Sequence, residues 1–277
     1  MAYNRILSIQ DISGVGQCSL TVALPILSAC GQETSILPSA VLSTHTGGFT
    51  GYTFRDLTDD MPAIEAHWAK EGIDFAALYT GYLGSSRQID YVKSIAHTLL
   101  REGAPLIVDP AMADDGKLYP GFDDEFAHAM ASLAFSADII LPNITEACLI
   151  TGREYREDYD RAFVDSLLDT LTQSGAKTVI LTGISYSPHT TGVVVFENGE
   201  YSYYEHERLE RGSHGTGDVY SSTFVGALMN GHRVDDSARI AADFTLRCIK
   251  RTQSLDNHWY GPAFEPELGW LIAELAK

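Results

Sequence analysis

Gly215-Thr216-Gly217-Asp218 follows Arg211-Gly212-Ser213-His214 and runs into a helix predicted over Asp218–Asn230. Gly215 and Gly217 let the backbone approach a ligand closely and adopt angles a side chain forbids. The helix start aims unpaired N–H groups and a partial positive charge at the same spot, which suits phosphate. Asp218 is the odd element, because bound phosphate repels a carboxylate. One reason to accept the repulsion is that Asp218 takes a proton from an attacking hydroxyl. The other reading is that it only complements the helix dipole, and this segment leaves both open.

Other acids sit where chemistry is feasible. Val108-Asp109-Pro110 and Asn143-Ile144-Thr145-Glu146 each follow an apolar run. Two carboxylates at neighbouring strand tips can hold Mg²⁺ beside substrate phosphates. Asp109 as a turn residue before proline and Glu146 as a first-turn helix acid are the plainer alternatives. Ser43-Thr44-His45-Thr46-Gly47-Gly48 is a polar loop that could close over a small substrate, or its histidine could be merely solvated. Asp114-Asp115-Gly116 reads equally well as a surface turn.

Short apolar runs must carry these tips. Ile6–Ile9, Phe75–Tyr79, Leu106–Val108, Ile139–Leu141 and Val179–Leu181 read as buried strands, with a further strand at Ala40–Leu42. Helical spacing lies between them over Ser19–Ala29, Pro62–Lys70, Ser86–Arg101, Asp123–Ala134 and Asp160–Ser174. That alternation predicts a mostly parallel sheet covered on both faces. Thr191–Phe196 and Tyr201–Tyr204, joined through Asn198-Gly199, predict an antiparallel hairpin. Beyond Asp218 only helices are expected, the later ones over Asp236–Arg251 and Pro266–Ala276. Ligands of open parallel sheets bind beyond the strands' carboxyl ends, so the tips at Asp11, Tyr82, Asp109 and Asn143 are expected to share a crevice with Asp218.

Composition narrows the class. The chain has 277 residues, 45% of them hydrophobic, with no linker, repeat or compositional break, and residues 1–277 are expected to form one domain. A formal net charge of −18 argues against nucleic acid and anionic membranes as partners. Cys18, Cys30, Cys148 and Cys248 are scattered among apolar neighbours, which predicts buried, reduced thiols. The apolar run near the N-terminus is too short for a signal-peptide core, which predicts a cytoplasmic protein. Asp11-Ile12-Ser13-Gly14-Val15-Gly16 invites a dinucleotide-binding reading, but the third glycine would fall at Ser19. No Walker-type phosphate loop occurs.

The constellation resembles the ribokinase superfamily and, within it, the pyridoxal (vitamin B6) kinases. The matching pieces are Ser8-Ile9-Gln10, Thr44-His45-Thr46-Gly47, Thr80-Gly81-Tyr82-Leu83-Gly84-Ser85, Val108-Asp109-Pro110-Ala111-Met112, Pro142-Asn143-Ile144-Thr145-Glu146 and Gly215-Thr216-Gly217-Asp218. The resemblance implies a ribokinase-like α/β three-layer sandwich around a central, mostly parallel sheet. It implies phosphorylation of the 5′-hydroxymethyl group of pyridoxal, pyridoxine or pyridoxamine, with ATP and Mg²⁺, often K⁺, and commonly a homodimer.

The same resemblance distributes the roles. Asp218 is the base, and the backbone of Gly215, Thr216 and Gly217 stabilises the transferring phosphoryl group. Asp109 and Glu146 sit by the metal. Asn143, Thr182 and Gly183 handle nucleotide, while Asp11, His45, Thr46, Gly47 and Tyr82 fall at the pyridine pocket. Two features depart from the B6 pattern. Asp11 replaces a serine that is followed by histidine in many B6 kinases. The Asp-x-Ser-Gly pattern at Asp11 and the histidine at His214 resemble hydroxymethylpyrimidine kinases, which is the alternative function. Those enzymes typically carry cysteine where this chain has Asp218. An acid at position 11 can accept from a protonated ring nitrogen or an amine, so good handling of pyridoxamine or pyridoxine is expected. Asn257-His258-Trp259-Tyr260-Gly261 is expected to be either a structural plug or a pocket wall.

Overall fold

The structure is a computed structural model that describes residues 4–209 and 214–277. Among the described residues eleven strands form in chain order. They are β1 (Arg5–Ser13), β2 (Glu33–Leu42), β3 (Phe54–Asp56), β4 (Ala77–Thr80), β5 (Leu106–Val108), β6 (Ala113–Asp114), β7 (Lys117–Leu118), β8 (Ile139–Ile140), β9 (Thr178–Ser187), β10 (Thr190–Glu197) and β11 (Glu200–Glu207). Nine of these make one sheet of order β11-β10-β9-β8-β5-β4-β1-β2-β3, and β6 pairs with β7 as a separate hairpin. The run from β2 through β9 is parallel, and the antiparallel pairs lie at the two edges.

The helices are α1 (Leu20–Ala29), α2 (Met61–Lys70), α3 (Ser86–Leu99), α4 (Asp124–Ala134), α5 (Ile144–Thr151), α6 (Arg161–Gln173), α7 (Thr216–Met229), α8 (Val234–Gln253) and α9 (Leu268–Leu275). From β1 the chain steps one way to β2 and then the other way through β4, β5, β8 and β9. Right-handed crossovers therefore put α1 on one face and α3 to α6 on the other. Alternate strand residues follow suit. Leu7, Ile9 and Leu78 join the core under α3 to α6, whereas Ile6, Ala77 and Tyr79 face Ala23, Leu27 and Phe224 of α1 and α7. A third apolar cluster, including Val22, Val219, Phe244 and Leu271, binds α1, α7, α8 and α9 together. These are the three layers of the expected ribokinase-like sandwich.

Several boundaries differ from the sequence reading. β2 begins at Glu33, well before Ala40, because Ser35, Pro38 and Ser39 interrupt its apolar pattern. α5 was expected only in the alternative that made Glu146 a first-turn helix acid. It is short and buried on most sides, so no amphipathic stripe announces it. α7 starts at Thr216 and not Asp218. The segment Pro266–Ala276 divides into a 3₁₀ turn, Glu265–Glu267, and α9. Asn198 and Gly199 both take positive φ, 53° and 85°, as a two-residue hairpin turn requires. Asp114-Asp115-Gly116 is the turn of the β6–β7 hairpin.

Candidate active site

The strand order reverses between β1 and β4, so the crevice at their carboxyl ends is the place for a ligand. Asp11 lies there, inside β1 and not after it. Opposite Asp11 the register slips, so that Gln10 pairs with Pro38 but Ile12 with Val41. The Ser13 hydroxyl donates to Asp11 Oδ2 at 2.9 Å, and the Ser19 side chain also favours the ionised form. Burial still raises the Asp11 pKa against both.

Gly215 caps α7 with φ 85°, and a Cβ placed on it would lie 1.8 Å from the Gln17 carbonyl oxygen. No other residue fits that position. Around Gly217 the space is open. Asp218 sits in the first helical turn, half-buried, with the Ser19 backbone favouring its ionised form. Its pKa is pushed up to about 8, first by burial, then by the negative charge of Asp109, with Asp11 adding to it. Arg211, Gly212 and Ser213 lie outside the described residues.

Asp109 follows β5, buried, and the Ser221 hydroxyl of α7 donates to its Oδ2 at 2.6 Å. Burial pushes its pKa up to about 6 against that bond. Glu146 fills the plainer part considered for it: with Asn143 it forms a capping box at the start of α5. Its Oε2 accepts from the Asn143 N–H at 2.9 Å and its Oε1 from the Met112 N–H at 3.1 Å. Burial and the Asp109 charge nevertheless raise its pKa well above the ordinary range. Among the described residues, no ion pair reaches Asp11, Asp109, Glu146 or Asp218. Buried carboxylates without a protein cation are the donor set a divalent ion would satisfy.

The remaining expected residues fall around this centre. The Asn143 amide is occupied, its Oδ1 accepting from the Glu146 N–H at 2.9 Å and its Nδ2 donating to the Ala113 carbonyl at 2.9 Å. Asn143, beyond β8, pairs with Thr182 inside β9, and Gly183 follows in an open position with φ 70°. Tyr82 stacks on Phe122 with centroids 5.4 Å apart, and burial, then Asp11, pushes its phenol up to about 12. Thr46 is exposed, and Gly47 packs against the His214 ring so closely that a Cβ there would lie 2.6 Å from it.

His45 is only 4% exposed, so it is not a solvated loop histidine. Its Nδ1 accepts from the Gly47 N–H at 3.1 Å and its Nε2 lies 2.8 Å from the Tyr260 carbonyl. Both ring nitrogens are thus engaged by backbone, and burial lowers the His45 pKa. Trp259 packs on Phe49 at 4.6 Å, so the Asn257–Gly261 segment is a wall of the loop that carries Thr46.

A family model described as phosphomethylpyrimidine kinase matches residues 39–263. The chain belongs to that family. This kinase is 26% identical over 269 residues to the pyridoxine/pyridoxal/pyridoxamine kinase of Bordetella avium, covering 91% of this chain and 86% of that one. A Bacteroides thetaiotaomicron structure that carries the phosphomethylpyrimidine kinase name, in a crystal form with pyridoxal, is 34% identical with a TM-score of 0.90. That match covers 99% of this chain and 96% of the other. The pyridoxal kinase of Lactobacillus plantarum is 30% identical with a TM-score of 0.90, covering 98% of each chain. The kinase is therefore a phosphotransferase acting on an alcohol group.

Four of the kinase's residues at this centre escaped the sequence reading. Ser221 lies three residues after Asp218, one turn along the same helix face, a spacing that was available as a signal. Ser19 favours the ionised forms of both Asp11 and Asp218, yet nothing in its surroundings marks it. Tyr119 has its phenol pushed up by burial and then by Glu146, Asp114, Asp109 and Asp218, so these acids lie within electrostatic reach of it. It arrives through the β6–β7 hairpin, which has no distinct pattern. Cys18, expected as a buried apolar thiol, is half-buried between Asp11 and Asp218. Burial, then Asp218 and Asp11, holds it protonated. Cys30, Cys148 and Cys248 are buried as expected.

Proposed function

We propose that this kinase transfers the terminal phosphoryl group of ATP to the 5′-hydroxymethyl group of a B6 vitamer, giving the 5′-phosphate. The observation that carries the reading is Asp218 in the first turn of a glycine-opened helix, with its pKa lifted to about 8. A base so placed meets the hydroxyl proton beside the N–H groups that receive the phosphoryl charge. The pyridoxal found with the Bacteroides relative supports the substrate class.

In this reading Asp218 takes the proton, and the backbone of Gly215, Thr216 and Gly217 receives the phosphoryl oxygens. Asp11, Thr46, Gly47 and Tyr82 surround the pyridine ring, with His45 shaping their loop. Asn143, Thr182 and Gly183 border the nucleotide. Asp109 and Glu146 hold Mg²⁺, which when bound neutralises phosphate charge. Among the described residues no group of three or more His, Cys, Asp or Glu is arranged for a metal ion. Two carboxylates with phosphate and water suffice for Mg²⁺. K⁺ belongs to the reading by resemblance alone.

The chain acts as one kinase domain and pairs as a homodimer. Exposed Val15, Val41, Tyr52 and Phe54 gather around the β2–β3 edge and support that pairing. A cytoplasmic location suits ATP use and four cysteines without a disulfide. No helix among the described residues is long and apolar enough to cross a membrane.

Hydroxymethylpyrimidine is the second substrate reading, favoured by His214 packed against Gly47 and by the family description. ADP release measured with pyridoxal, pyridoxine, pyridoxamine and hydroxymethylpyrimidine decides between them. Turnover of a vitamer is expected; turnover of the pyrimidine alone overturns the first reading.

A further inference from the structure

The loop around Thr46 and the turn around Gly215 are not neighbours in sequence, yet a continuous set of contacts joins them. His45 Nδ1 takes the Gly47 N–H, so its proton sits on Nε2 and is donated to the Tyr260 carbonyl at 2.8 Å. The same carbonyl accepts from the Gln17 N–H at 3.1 Å. The Gln17 carbonyl in turn lies against Gly215, where any Cβ would meet it at 1.8 Å. The Gln17 side chain is fixed too, its Nε2 donating to Glu265 Oε1 at 2.7 Å. The His45 ring also packs on Gly16, where a Cβ would come within 2.0 Å of it, and on Phe49 at 5.0 Å. Nothing in this chain of contacts is loose.

We propose that His45 is a positioning residue that locks the Thr46–Gly47 loop to the Gly215 turn through the Tyr260 carbonyl and Gln17. Closing the loop over a substrate then sets the phosphate turn, and occupying the turn steadies the loop. Such coupling is reciprocal by linkage, so nucleotide must tighten vitamer binding by the factor that vitamer tightens nucleotide binding. The vitamer half of this statement rests on the function proposed above; the mechanical half does not.

The test uses the full chain with His45→Leu, which removes both hydrogen bonds, and His45→Asn, whose Oδ1 can still accept the Gly47 N–H. In the ligand-free protein, amide exchange at Gly47 and at Gln17 is expected to speed up about fivefold or more in His45→Leu. In His45→Asn, only Gln17 is expected to do so. Unchanged exchange at Gln17 in both variants overturns the link, whatever the substrate proves to be. With a non-hydrolysable ATP analogue present, wild-type affinity for pyridoxine is expected to rise, and the rise is expected to vanish in His45→Leu. The KM for all three vitamers is expected to increase by one common factor of about five. An increase confined to a single vitamer identifies a direct substrate contact and overturns the positioning role.

Discussion

The Ser221 hydroxyl reaches Asp109 Oδ2 at 2.6 Å, one helical turn beyond Asp218. The strand-tip acid and the acid at the helix start are thereby tied to one rigid element. The Asp109 charge raises the cost of ionising Asp218, and the Ser221 bond favours the ionised form of Asp109 against its burial. Removing the hydroxyl leaves a buried carboxylate short of a donor. Ser221→Ala is expected to raise the Mg²⁺ concentration for half-maximal ADP production by about tenfold, the usual scale for a residue supporting a metal ligand. An unshifted Mg²⁺ titration would remove Ser221 and Asp109 from the metal site.

Asp218→Asn keeps the shape of the helix start but cannot take a proton. The expected loss in kcat is about 10²–10⁴-fold, the range for general-base help. ADP affinity by calorimetry is expected to stay within about threefold of wild type, because the backbone N–H groups remain. Near-normal turnover would return Asp218 to the dipole-partner reading.

The same raised pKa values fix a sign for stability. A carboxyl whose folded pKa exceeds its unfolded value binds its proton more tightly when folded, so its contribution is full below the unfolded pKa and lost as pH rises through the folded one. For Asp109 that window runs from 3.8 to about 6, and for Asp218 from 3.8 to about 8. Without Mg²⁺ or substrate, Asp218→Asn is expected to be more stable than wild type by about 1–3 kcal/mol at pH 8.5. The gain should shrink steadily towards pH 5. Urea denaturation in EDTA across that range measures it, and a gain independent of pH contradicts the assignment.

Asp11 is buried beside Ser13 and Ser19 with a raised pKa, so its proton state responds to what binds against it. An amine or a protonated ring nitrogen would hold it ionised. Asp11→Ser is expected to shift kcat/KM away from pyridoxamine and pyridoxine towards pyridoxal by about tenfold, the worth of one charge-assisted hydrogen bond. Identical vitamer ratios in the two proteins would show that Asp11 does not select the substrate.

Much of the frame was legible because it is local. Short apolar runs marked β5 and β8, Asn198-Gly199 marked the hairpin, and Gly215 with Gly217 marked the phosphate turn. β2 was mostly missed, since strand pairing with β1 overrode its serines and proline. α5 entered only as the alternative for Glu146, because burial on most sides erases periodicity. Glu146 shows the limit best: metal acid and helix cap looked like rivals in the sequence, and the fold lets one side chain cap α5 while its charge faces Asp109.

By itself, the sequence determined the glycine turn with its acid and the alternation of strands and helices that sets Asp11 and Asp109 towards strand ends. Those features depend on backbone angles and on side-chain periodicity, which neighbouring residues settle. Only the tertiary structure decided what each acid experiences. The Ser221 bond to Asp109, the charge of Asp109 beside Asp218, and the binding of His45 to Tyr260 join residues far apart in the chain. Protonation and orientation follow from burial and from such distant partners, and no local pattern encodes either.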